Sequence, residues 1–206
     1  MAPVLRVYRI PFSTNVERVA LAAGHKGLAI EWVDVDPGDR SPVVAVSGQE
    51  LVPVLDDDGT IVFDSPLILE HLERRFPEPP LYPPDPRGAE VRVFVDWFNK
   101  VWKRPPNLIA AELEKPEPDR AKIEEWEGQM RASLDVFEAL LAGRNHLYGD
   151  FSIADVIAFP FLKYATIWPE GDEELFHRVL RDNLRLGDRY ARLDAWIARV
   201  DARPRA

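Results

Sequence analysis

Phe76-Pro77-Glu78-Pro79-Pro80-Leu81-Tyr82-Pro83-Pro84-Asp85-Pro86 is the stretch on which the architecture turns. Proline locks φ and carries no N–H, so this density of prolines suits neither a helix interior nor a central strand. The segment reads as a stiff, extended linker at a domain boundary. The residue pattern differs on its two sides, which sets the boundaries at 1–76, a linker at 77–87, and 88–206.

Upstream, Leu5–Tyr8 alternates around β-favouring residues and predicts a first strand, broken by Pro11 and Phe12. Val16, Val19, Ala20 and Ala23 share one face of a helix over about 15–23, with Gly24 and Gly27 as its stop. Ile30–Val35 is a second strand, and the β-α-β order makes the two strands parallel. One helical turn near Val43–Val46 precedes two short apolar strands, Val54-Leu55 and Ile61–Phe63. Asp56-Asp57-Asp58-Gly59 joins these as a hairpin turn. Pro66–Arg75 is the third helix of this part. Downstream the spacing is helical throughout, with helices expected near 88–104, 119–142, 152–166, 172–183 and 188–201. The fold class is therefore an α/β domain followed by an all-α domain.

Composition narrows the chemistry. The chain has 206 residues and a formal net charge of -9, so its surface repels phosphate backbones and a general nucleic-acid binder is not expected. No run approaches the roughly 20 apolar residues that span a bilayer, and no secretory signal pattern opens the chain, which makes a cytoplasmic, membrane-free protein the expectation. Cysteine is absent, so disulfides, cysteine nucleophiles and CxxC redox chemistry are excluded. The four histidines, His25, His71, His146 and His177, lack metal-ligand spacing, and no metal site is expected.

Three short motifs remain. In Pro11-Phe12-Ser13-Thr14-Asn15-Val16-Glu17-Arg18, Thr14 and Glu17 fit a capping box, which leaves the Ser13 hydroxyl facing outward at a helix N-terminus. Ser13 reads either as a turn serine or as a hydroxyl that steadies a bound thiolate. Arg18 reads as a solvated surface residue adding positive potential. Val52-Pro53 precedes a strand; read locally it is a strand-start proline, whereas a cis bond would turn the Val52 backbone toward an extended peptide ligand. In Asp64-Ser65-Pro66, proline fits the first helical position and Ser65 the N-cap. That corner is either a plain cap or a place where Ser65 and backbone N–H groups hold a carboxylate and Asp64 accepts from an ammonium.

Taken together and in this order, the motifs resemble the thioredoxin-like domain of cytosolic glutathione transferases. Pro11–Val19 looks most like the serine-type, phi- or theta-like bacterial members. Val52-Pro53 matches the family's cis-proline element, and Asp64-Ser65 its γ-glutamyl-binding pair. Tyr148-Gly149-Asp150-Phe151-Ser152-Ile153-Ala154-Asp155, Leu193-x-x-Trp196 and Arg203-Pro204 resemble the family's helical domain, so the likeness covers nearly the whole chain. The Ser152/Asp155 pair also reads directly as a capping box, with Phe151 and Val156 placed as a hydrophobic staple, and is assigned to folding.

The resemblance implies a thioredoxin-like domain followed by an all-helical one, and a homodimer. It also implies a detoxifying transferase that takes glutathione as co-substrate, without a resident cofactor, and conjugates it to a small hydrophobic electrophile. Ser13 would be the catalytic hydroxyl and Val52, Pro53, Asp64 and Ser65 the glutathione-binding residues. The family's Lys or His after the second strand and Gln before the Val-Pro are not in register here, which leaves Arg40 and Gln49 as candidates for the far carboxylate. Tyr8, at the end of the first strand, is the alternative catalytic hydroxyl. Phe12, Trp102 and Tyr164 are candidates to line an apolar second-substrate pocket. The missing cysteine argues against omega-, beta- and glutaredoxin-like members and against the Ser-Ser-Cys motif of maleylacetoacetate isomerases. The alternatives are a non-catalytic binding or interaction protein of the same fold, and a transferase using another small thiol.

Overall fold

The computed structural model describes residues 4–206. The chain forms two compact units: residues 4–81 together with Arg203–Ala206, and Tyr82–Ala202. The division falls inside the proline-rich stretch. The last four residues pack with the first unit, although the sequence places them after the final helix.

The first unit contains β1 (Leu5–Arg9), α1 (Thr14–Lys26), β2 (Ile30–Asp34), α2 (Ser41–Ser47), β3 (Val54–Asp57), β4 (Thr60–Phe63) and α3 (Ser65–Arg75). Its sheet runs β2-β1-β3-β4, with β1 parallel to β2 and antiparallel to β3, and β3 antiparallel to β4. This is a thioredoxin-like sheet. Side chains alternate across a strand, so each strand feeds two cores. Leu5, Val7 and Leu55 meet Val19 of α1 and Ile68 and Leu72 of α3 on one face. Ile10, Val35, Val43 and Val54 form the cluster on the other. Each such side chain contributes roughly 1.5–3 kcal/mol on burial. The β3–β4 hairpin turns on Asp58 and Gly59, both at positive φ (50° and 91°), as a two-residue turn matched to strand twist requires.

α1 outlasts its expected end. Gly24 lies inside the helix, and Gly27 (φ 64°) closes it in the left-handed conformation that glycine adopts without a Cβ clash.

The second unit is helical: α4 (Arg87–Trp97), a π-helical turn (Phe98–Trp102), α5 (Arg104–Leu113), α6 (Arg120–Leu140), α7 (Ile153–Leu162), α8 (Leu175–Asn183) and α9 (Ala191–Asp201). No helix was expected over α5, which carries Pro105 and Pro106. They occupy its first turn, where a missing N–H costs nothing. α7 is buried at every position, and its N-terminus carries the expected capping box in both arms. Asp155 is wholly buried and accepts from Ser152 N (2.9 Å), Leu147 N (3.1 Å) and Trp196 Nε1 (2.7 Å). Burial raises its pKa, while these donors and the nearby His146 favour the charged form. One carboxylate thus joins the start of α7, the preceding loop and α9.

Asp155→Ala strands three buried N–H donors, so it is expected to cost about 3 kcal/mol or more. Ser152→Ala removes the cap acceptor and one hydroxyl donor to Asp155 (3.3 Å) but leaves the three N–H bonds, and should cost about 1 kcal/mol. Denaturant midpoints of the two variants check the difference; equal losses would contradict this role for Asp155.

Candidate functional site

Strand pairing gathers the sequence motifs at one end of the sheet. Val54, first residue of β3, pairs with Tyr8 of β1 and with Phe63, last residue of β4. The loop to Ser13 leaves the same sheet end at which Val52-Pro53 enters and Asp64-Ser65 departs. β2 is parallel to β1, so the loop to Arg40 leaves from this end too. Side-chain spacing alone does not contain this convergence; the antiparallel register produces it.

The β1–α1 loop is a tight turn. Ser13 N donates to Ile10 O (3.4 Å), and Phe12 holds φ at 62° where glycine is usual. That conformation costs a non-glycine residue on the order of 1–3 kcal/mol and marks a place where backbone position matters. Ser13, not Thr14, is the N-cap: its Oγ accepts from Val16 N (3.4 Å), and Thr14 is buried as the first helical residue. The expected Thr14/Glu17 capping box gives way because the turn places Ser13, not Thr14, at the helix start. As an acceptor in the cap, the Ser13 hydroxyl keeps its proton for donation. It is half-buried, beside the first-turn N–H groups of a thirteen-residue helix.

The Val52–Pro53 peptide is cis. Val52 lies beyond the paired residues of β3. A second cis bond, Glu78–Pro79, lies in the proline-rich stretch and was not anticipated.

At the start of α3 the roles also shift. Asp64 is the N-cap position, at φ 71° and ψ 121°, and its carboxylate makes no cap hydrogen bond. It is exposed, and its backbone C=O receives Ile68 N (3.0 Å). Ser65 is the first helical residue and is 1% exposed, so its hydroxyl faces inward, not toward a ligand. Pro66 has no N–H, which leaves the Ser65 and Leu67 N–H groups to face an anion at this helix start.

Ser65 faces inward because Arg18 does. The sequence suggested a solvated arginine; the structure buries it completely. Arg18 Nη1 donates to Asn15 Oδ1 and to Ser65 Oγ (3.3 Å each), and Ser65 Oγ donates to Asn15 Oδ1 (3.3 Å). Burial lowers the arginine pKa to about 9, and the Asp64 carboxylate pulls it back upward. It stays charged at neutral pH. A cation and two helix N-termini therefore stand together, and their summed field favours an anion at the surface above them. Asn15 was not singled out in the sequence; its spacing of three from Arg18 was the available signal.

Other candidates take different places. Gln49 folds its own loop: its amide donates to Ser47 Oγ and Leu51 O (2.9 Å each) and accepts from Leu51 N (2.6 Å). Arg40 stands just before α2, with Nε on Pro37 O (3.0 Å). Tyr8 packs, half-buried, against the Ile10/Val35/Val43/Val54 cluster. Phe12 is exposed. Trp102 and Tyr164 do not line an open surface of the helical unit. Trp102 is 4% exposed, stacks on Phe98 at 4.4 Å and donates to Ser133 Oγ. Tyr164 is 1% exposed, bonded to Asp172 (2.7 Å) and stacked on His177. Both are core residues, as aromatic spacing on helices usually signals. Among the described residues, no group of three or more His, Asp or Glu side chains is placed to hold a metal ion. No described helix is long and apolar enough to cross a membrane.

Comparison with known proteins bears on this geometry. Family models for the glutathione S-transferase N-terminal domain and C-terminal domain match residues 7–80 and 120–199. Glutathione S-transferase 3 of Zea mays is 32% identical over 169 residues, covering 75% of this chain and 75% of its own. Maleylacetoacetate isomerase of Pseudomonas aeruginosa is 32% identical over 172 residues, covering 77% and 80%. The fold of the beta-etherase LigF from Sphingobium sp. strain SYK-6 superposes with a TM-score of 0.81 at 23% identity, over 98% of this chain and 96% of that one.

The Asn15–Arg18–Ser65 triangle makes a stability prediction. Arg18→Met removes a buried cation and leaves Asn15 and Ser65 bonded to each other, so stability stays within about 1 kcal/mol of wild type. Asn15→Ala deprives that cation of an acceptor and should cost about 2–3 kcal/mol. Calorimetric unfolding checks the order; a larger loss for Arg18→Met would contradict it.

Proposed function

Because this chain belongs to the glutathione S-transferase family, we propose that it binds glutathione at the sheet end described above and joins the intact tripeptide, through its sulfur, to a small apolar electrophile. The carrying observation is the Ser13 hydroxyl at the N-terminus of α1, beside a helix-start network that contains the buried Arg18 cation. A free thiol has pKa near 8.5 and is only a few per cent ionised at pH 7. The helix end and Arg18 stabilise the anion, and Ser13 donates its O–H to the sulfur. The thiol proton leaves to solvent. The thiolate then forms a new S–C bond with the electrophile, whose leaving group departs with its electron pair.

The rest of the tripeptide follows the strand ends. Val52 backbone pairs with the extended ligand as an added strand would. The γ-glutamyl ammonium meets the exposed Asp64 carboxylate, and its carboxylate meets the Ser65 and Leu67 N–H groups. Arg40 is the candidate for the far carboxylate, since the Gln49 amide already serves its own loop. Leu51, Phe63 and Leu67 on the first unit and Val93 and Val101 on the second are exposed apolar side chains suited to a second copy of the chain. A homodimer, a cytoplasmic setting and a detoxifying role complete this reading. A ligand-carrying protein without catalysis, or a transferase of a different thiol, is the other reading.

Ser13→Ala should lower kcat by roughly 10–100-fold, the worth of a hydrogen bond to an anion, while the glutathione dissociation constant changes little. It also removes the cap, at about 1 kcal/mol of stability. A fully active Ser13→Ala beside an inactive Tyr8→Phe would overturn the assignment. Titration of the wild-type protein with millimolar glutathione in a calorimeter decides whether this thiol is the ligand at all: binding heat is expected, and its absence contradicts the proposal.

A further inference from the structure

The last four residues lie along α1. Arg203 Nη2 donates to His25 Nδ1 (3.0 Å), and Arg205 Nη2 meets Glu17 Oε1 (3.2 Å). Ala206 N donates to Ala20 O (3.2 Å), and Ala206 O accepts from Trp32 Nε1 (3.1 Å). Pro204 sits so close to Gly24 that a Cβ there would collide with the Pro204 carbonyl. The tail thus runs backward along the helix, from its last turn toward its first. Glu17, Ala20 and Gly24 are spaced by three and four residues, on one stripe of α1. Extending that stripe by one turn reaches Ser13. Burial, joined by the Arg203 and Lys26 charges, holds the His25 imidazole below its ordinary pKa, against its bond to Pro80 O and the Glu73 charge. It therefore stays neutral near pH 7 and can accept from Arg203.

We propose that Arg203–Ala206 is a positioning strap for the thiol site, holding the first turns of α1 in the pose from which Ser13 serves the sulfur. The inference rests on the assignment of Ser13 above. It gives Gly24 a purpose that helix propensity does not. Glycine in a helix interior is unfavourable by about 1 kcal/mol relative to alanine, and this one keeps the groove open for the tail. Glu17 follows Ser13 by one turn, so Arg205 grips the helix next to the active end. Glu17 and Arg205 are positioning residues that act on Ser13 through the helix.

The test uses Gly24→Ala, a variant truncated after Ala202, and the two combined, each compared with wild type. Hydrogen exchange of the α1 amides is read without ligand, and the ultraviolet absorbance of bound glutathione thiolate is titrated against pH. Alanine is the better helix former, so on local propensity alone Gly24→Ala would slow exchange. The strap predicts the opposite. Exchange over residues 14–20 should rise roughly five- to tenfold in both single variants, with no further rise when they are combined. The bound-thiol pKa should rise by a similar amount in each. Unchanged or slower exchange in Gly24→Ala overturns the strap. Faster exchange with an unmoved thiol titration overturns its positioning role and leaves a structural brace. Wild type that binds no thiolate yet shows strap-dependent exchange refutes the glutathione assignment instead, so the two failures are distinguishable.

Discussion

A guanidinium buried where two helices begin sets the electrostatics at one end of the first unit. Arg18 has no exposed surface, yet it stands beside the positive ends of α1 and α3. Water cannot screen it, so protein oxygens must satisfy it: Asn15 Oδ1 and Ser65 Oγ take that place, and the Asp64 carboxylate lends its field. The Asn15–Ser65 bond, with Arg18 beside it, ties the two helix starts together. The same network places a cation beside two helix N-termini at the sheet end where the loops converge, with the Asp64 carboxylate as its counter-charge. The positive-φ residues Phe12 and Asp64 flank this arrangement, one before each helix, and both are held there against their intrinsic preference.

What the sequence disclosed was what local chemistry determines. The proline run at 76–86 could be read as a linker because proline suits neither a helix interior nor a central strand. Asp58-Gly59 announced a hairpin turn because few other pairs tolerate positive φ twice. Ser152 and Asp155 announced a capping box because both partners lie within four residues. The motif residues around Ser13, Val52-Pro53 and Asp64-Ser65 were legible as a set, through their order along the chain. What stayed hidden depends on distant partners. Arg18 and Ser65 are 47 residues apart, so nothing local distinguished a buried, bonded arginine from a solvated one. The same bond turned Ser65 from a ligand-facing cap into a buried support. Gln49 was consumed by its own loop, whose geometry its residue type does not reveal.

The helical unit shows the same division between short- and long-range information. Its aromatic residues suggested a ligand pocket, but Trp102 and Tyr164 are bonded and stacked inside the core. Trp196 reaches Asp155 across 41 residues, so the final helix is fastened by the same carboxylate that starts α7. Gly24 is the clearest case of a long-range cause. Read locally it ended a helix; in the fold it lies within the last turn of α1, where Pro204, 180 positions away, occupies the space a side chain would need.

The central claim is that a sulfur anion rests against the start of α1 and is held there by Ser13. A crystal structure with glutathione bound measures this most directly. The sulfur should lie within about 3.5 Å of Ser13 Oγ, with the γ-glutamyl group at Asp64 and the peptide beside Val52. A sulfur bonded to the Tyr8 hydroxyl, or a tripeptide lying away from the Asp64 corner, would contradict it.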